Sequence, residues 1–121
     1  MSKPVAQTLH LARSLVLEKK YESCIKIFGD IETKRNLYPD ELHYYGRALL
    51  ELGDTERAIS ALKGAETCSE PHWALYFLGN ALKSSGRAAE ALATWHQAMN
   101  YARDDLNFVR HLSEKYIGVL A

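Results

Sequence analysis

Apolar and small residues between Leu42 and Ala65 follow the rhythm of two helices joined by a tight turn. Gly46 and Ala48 fall in the middle of the first helix, where glycine costs about 1 kcal/mol against alanine unless a neighbouring helix needs the space. Gly53 suits the left-handed position that ends a helix, and Asp54 is expected to cap the next one. Ala58, Leu62 and Ala65 then stand four and three residues apart, so they share one face of the second helix. Small residues at either end of that face predict close packing, with Leu62 as the knob between the helices.

The same pattern recurs along the chain. Leu42, Gly46, Ala48, Leu49, Gly53, Ala58 and Ala65 return as Leu75, Gly79, Ala81, Leu82, Gly86, Ala91 and Ala98, each 33 residues on. Trp95 takes the place of Leu62 at that offset and is expected in the core. An offset of 34 in the other direction sets Ala12, Leu15, Cys24, Ile25 and Phe28 under Gly46, Leu49, Ala58, Ile59 and Leu62. In this first copy Lys19 occupies the position of the turn glycine.

The remaining elements follow from their ends. Pro4 suits a first helical turn, followed by Val5, Leu9, Leu11, Leu15 and Val16, and a partner helix is expected from Tyr21 to Lys34. Pro39-Asp40-Glu41 and Ser69-Glu70-Pro71 open two further helices, with acidic groups at the positive end of the helix dipole. Asp104 and Asp105 can cap a seventh helix from Leu106 to about Gly118, packed through Leu106, Val109, Leu112 and Tyr116.

Two helices repeated every 33 to 34 residues resemble the tetratricopeptide repeat (TPR) family. The resemblance covers about Val5 to Ala98. It implies an all-α fold, a right-handed superhelical solenoid of three helix-turn-helix repeats plus a C-terminal capping helix. The repeats would span about 5–38, 39–71 and 72–104, and the cap about 105–118, within a single domain over 1–121. Trp and Tyr of the family motif are replaced here, the first by Thr8, Leu42 and Leu75 and the second by Leu15, Leu49 and Leu82. Ankyrin repeats have a similar period but need a T-P-L-H-type turn, which is absent.

Charge narrows the function classes. Fifteen basic and fifteen acidic residues cancel, which argues against a general nucleic-acid or membrane-surface role. His10 and Arg13 interrupt the N-terminal apolar stretch, and no segment approaches the roughly 20 apolar residues of a membrane span, so a cytoplasmic location is expected. Cys24 and Cys68 form no C-x-x-C and are expected to be free thiols. The five histidines show no metal-ligand spacing, and the glycines form no phosphate loop; neither an enzyme nor a cofactor or metal site is expected.

In the family, the first helices of successive repeats line a concave groove. Carried over by position, the resemblance places Ala6, Leu9, His10, Arg13, Val16 and Leu17 of the first repeat on it. Asp40, His43, Tyr44, Arg47, Leu50 and Glu51 follow from the second, and Trp73, Tyr76, Phe77, Asn80, Lys83 and Ser84 from the third. His10, Arg13, His43, Tyr44, Arg47, Trp73, Tyr76, Phe77, Asn80 and Lys83 are the candidate peptide-binding residues. Aromatic and Arg side chains are favoured at binding hot spots, so the partner implied is a protein or peptide with acidic and apolar side chains. Asn80 alone resembles the carboxylate-clamp residues of the family, and in the wrong repeat, so recognition of a chaperone tail is not expected. Such a chain would act as a scaffold, adaptor, co-chaperone or assembly factor. The alternatives are a self-assembling structural protein, hence a homo-oligomer, through its apolar tail from Ile117 to Ala121 or through an uncovered first helix, and a secretion-type chaperone for an unfolded client.

Overall fold

A computed structural model describes residues 3–120, with side chains from Gln7 onward. The described residues form seven α-helices and no strand: α1 (Lys3–Leu17), α2 (Tyr21–Glu32), α3 (Pro39–Glu51), α4 (Thr55–Lys63), α5 (Pro71–Ser84), α6 (Ala88–Tyr101) and α7 (Leu106–Leu120). Each helix packs on the next. In addition α3 touches both α1 and α5, so α1, α3 and α5 form one layer, while α7 packs on α6. The side chains of Pro4, Val5 and Ala6, three positions singled out in the sequence, lie outside the described set.

The three turns inside the helix pairs are built alike. The amides of Lys20, Asp54 and Arg87 donate to the carbonyls of Leu15, Leu49 and Leu82 at 2.7, 2.9 and 2.8 Å. The preceding residue is left-handed each time, with φ of 61° at Lys19, 85° at Gly53 and 82° at Gly86. This six-to-one bond is the Schellman arrangement that glycine favours. Lys19 adopts it despite its side chain, so the first turn departs from the others in sequence and not in geometry.

Between helices the small-to-large fit appears as contact. Trp95 is fully buried against Gly79, and its indole Nε1 donates to the Tyr76 carbonyl at 3.1 Å. A Cβ at Gly79 would overlap the indole itself. At the equivalent junction a Cβ on Gly46 would lie 2.6 Å from Leu62 Cγ. Ala12 and Phe28, the corresponding residues of the first pair, are both fully buried.

A second tie is polar. Glu41 has no exposed surface and accepts four hydrogen bonds: two from Arg35 at 2.8 Å, one from the Thr8 hydroxyl at 2.8 Å and one from the Tyr38 amide at 2.9 Å. These bonds join α1, the loop after α2 and the start of α3. Burial raises the carboxyl's pKa, but Arg35 and the neutral donors outweigh it and hold it below the usual value.

Several local expectations are corrected. Asp54 makes no side-chain cap and faces Arg57 at 3.3 Å instead. Asp105 does cap α7, accepting from the Phe108 amide at 3.1 Å. The buried residues of α7 are Phe108 and Leu112, while Leu106 is 74% exposed, because Phe108 lies on the same side as Leu112 and Leu106 does not. Helix α2 stops at Glu32 and not Lys34, and α7 runs on to Leu120. Val16 is buried in the core, not on the groove surface. Both cysteines are free and buried, and burial raises the Cys24 thiol to about 11, which leaves it unreactive at neutral pH.

Candidate functional site

Helices α1, α3 and α5 bring most of the candidate residues to one side of the molecule. Two adjoining cavities of about 220 Å³ each lie there, sharing Arg13, Tyr44 and Glu70. One is completed by Leu17, Arg47 and Trp73, and the other by Leu9, His10, Asp40 and Ser69. Together they form a continuous trough.

Arg47 is its central polar group. The half-buried guanidinium stands 4.3 Å from the Phe77 ring centre and 5.6 Å from that of Tyr44. These are cation–π distances. Burial, the largest influence, lowers its pKa from the ordinary value. Among the described residues, neither Arg47 nor the exposed Arg13 forms an ion pair. The exposed carboxylate of Glu70 lines both cavities, and Asp40 is occupied, accepting from the Ser69 amide at 2.8 Å and its hydroxyl at 2.5 Å. Asp40 therefore fastens the loop before α5, and the trough keeps two arginines, Arg13 and Arg47, against the single unbonded carboxylate of Glu70.

Behind the trough lies an aromatic floor. Trp73 meets Tyr76 edge-on at 5.4 Å and Phe108 at 5.0 Å, and Tyr76 meets Phe77 edge-on at 5.0 Å. These spacings suit the electrostatics of paired rings. The Tyr76 hydroxyl is 2.7 Å from His111 Nε2, and Lys115 Nζ stands 5.4 Å from the Tyr76 ring centre. His43 stacks on Tyr44 at 4.6 Å, is 1% exposed, and has no hydrogen-bond partner at Nε2. Burial first, then the charge of Arg47, lowers its pKa to about 4, so it is neutral at pH 7.

The candidate residues thus separate into three sets. His10, Arg13, Arg47 and Trp73 line the trough and can be reached. Tyr44 lines it too but is 7% exposed, while His43 and Tyr76 belong to its floor and Phe77 lies under Arg47. Asn80 is half-buried with an unpartnered Oδ1, and Lys83 is exposed in the last turn of α5, lining neither cavity. Sequence reasoning missed Glu70, Phe108, His111 and Lys115. The last three were within reach, because Phe108, His111 and Lys115 follow at three and four residues, which sets them on one side of α7.

No cluster of three or more His, Cys, Asp or Glu side chains able to hold a metal exists among the described residues, and none of their helices is long and apolar enough to cross a membrane. No protein-family model matches the chain, and neither a curated protein nor a solved structure matches it significantly.

Proposed function

We propose that this chain is a three-repeat TPR-like domain, a right-handed superhelix capped by α7, which binds a peptide or protein segment in the trough between α1, α3 and α5. The observation that carries this reading is the half-buried Arg47, held over Phe77 and Tyr44 with no carboxylate paired to it. Removing a charge from water without a partner is costly, and a ligand carboxylate would offset that cost. Arg13 extends the positive surface, while Trp73 and Leu17 offer apolar area beside it. The ligand is therefore a segment with acidic and apolar side chains, bound by shape and charge without chemistry, cofactor or metal. The protein then serves as a cytoplasmic scaffold, adaptor or assembly factor.

Capture from source lysate tests this, comparing the wild type with an Arg47→Glu, Trp73→Ala double variant of matched melting temperature. Tyr76 is avoided because its buried ring is part of the aromatic floor, packed on Phe77 and bonded through its hydroxyl to His111, so its removal would disturb the fold. Retention of a partner by the wild type alone is the expected result. A partner retained equally by both would remove the trough from the account.

A further inference from the structure

We propose that α7 pairs antiparallel with α7 of a second copy of this chain. This inference is independent of the groove. The side of α7 carrying Phe108 and Leu112 is buried in its own molecule, where Phe108 meets Trp73 and His72 rings at 5.0 and 5.1 Å. The opposite side is open, with Leu106, Ile117 and Leu120 exposed by 74, 64 and 67%. At 100° per residue, Leu106, Val109, Ser113, Ile117 and Leu120 make one stripe down the helix.

The stripe is complementary to itself when turned end for end about Ser113. Leu106 then falls opposite Leu120 of the second copy, and Val109 opposite Ile117. Ser113 faces its own counterpart, and its hydroxyl is already satisfied by the Val109 carbonyl at 2.8 Å, so the crossing point is small and needs no further partner. Charge follows the same symmetry. Arg110 and Glu114 flank the stripe on one side, both exposed, and they form no ion pair within the chain among the described residues. Across the twofold axis each Arg110 comes beside the other copy's Glu114, giving two equivalent pairs that bracket the two Glu114 side chains nearest the axis. A face that matches itself in both apolar size and charge is what a twofold, isologous contact requires.

Sedimentation velocity from micromolar to near-millimolar concentration tests the pairing. The wild type should pass from monomer to dimer, and Ile117→Glu should raise the dissociation constant at least tenfold. Arg110→Glu alone and Glu114→Arg alone place like charges opposite each other at both pairs, so each should weaken the dimer several-fold. Mixing these two variants restores both opposite-charge pairs, and the heterodimer should form as readily as the wild-type dimer. Because Arg110 and Glu114 are exposed, their variants keep the fold, which matched melting curves verify. A wild type that stays monomeric throughout would overturn the proposal, and its stripe would then belong to a different partner. A dimer indifferent to either charge reversal, or a mixture no tighter than its components, would overturn it equally.

Discussion

The junctions between helices and the trough face are built on opposite terms. At Gly79–Trp95 and Gly46–Leu62, shape decides: a missing Cβ admits a large neighbour, and the one polar atom involved, the Trp95 indole nitrogen, has its acceptor. On the trough face the packing is aromatic but the polar groups are left short. His43 Nε2 has no hydrogen-bond partner, and Arg47 forms no ion pair among the described residues. A buried polar group without a partner lowers stability. The contrast teaches that the junctions are packed and satisfied, whereas the trough face keeps polar groups that contribute little to stability.

The largest expected effect would break the junction side of that contrast. Gly79→Ala should destabilise the protein by about 3 kcal/mol in urea unfolding, because a hydrogen-bonded indole cannot move aside. Gly46→Ala should cost only about 1 kcal/mol, since a leucine side chain can rotate away. Adding Trp95→Leu to Gly79→Ala should cost less than the sum of the two single changes, because the residues touch. Equal losses at Gly79 and Gly46 would show that the two junctions are not distinguished by their knobs.

The next effect concerns pH on the trough side. His43 stays neutral in the fold down to about pH 4, while in the unfolded chain it takes up a proton near pH 6.5. Its folded pKa is the lower one, so the stability it contributes is fully present above pH 6.5 and is lost as pH falls towards 4. Between pH 7.5 and 5 the loss should be about 2 kcal/mol. The charged and titratable neighbours acting on it are Arg47, Asp40 and His72. Urea unfolding at the two pH values should show this drop in the wild type and not in His43→Phe; the same drop in both would place its origin elsewhere.

The smallest stability effect separates the faces most sharply. Arg47→Gln removes a half-buried charge that has no ion-pair partner, so stability should change by no more than about 0.5 kcal/mol or even rise. A loss beyond 2 kcal/mol in thermal unfolding would mean that Arg47 is structural and that its cation–π contacts stabilise the fold.

Much of the fold was legible because spacing reports which side of a helix a residue lies on. The pairs Gly46–Leu62 and Gly79–Trp95 were readable from one offset, and so were the turns at Gly53 and Gly86, whereas the left-handed Lys19 was not, because its side chain argued against that conformation. Side-chain partners across loops were not readable, because no period links them. Glu41 looked like a helix-start acid and is a buried acceptor for Arg35 and Thr8. Asp40 looked like a helix-start acid on the groove and fastens Ser69. The trough was half legible: position along the repeat indicated Arg13, Arg47 and Trp73, but burial of His43 and Tyr76 depends on α5 and α7 closing over them. Leu106 was misread because its hydrophobicity suggested packing, whereas its angular position turns it outward.

Selection from a random displayed-peptide library tests the central claim most directly. The wild type should enrich peptides with Asp or Glu beside apolar residues. Those peptides should bind at least tenfold more weakly to an Arg13→Glu, Arg47→Glu variant of unchanged melting temperature. Absence of enrichment, or peptides that bind the charge-reversed variant equally well, would contradict the assignment of binding to this trough.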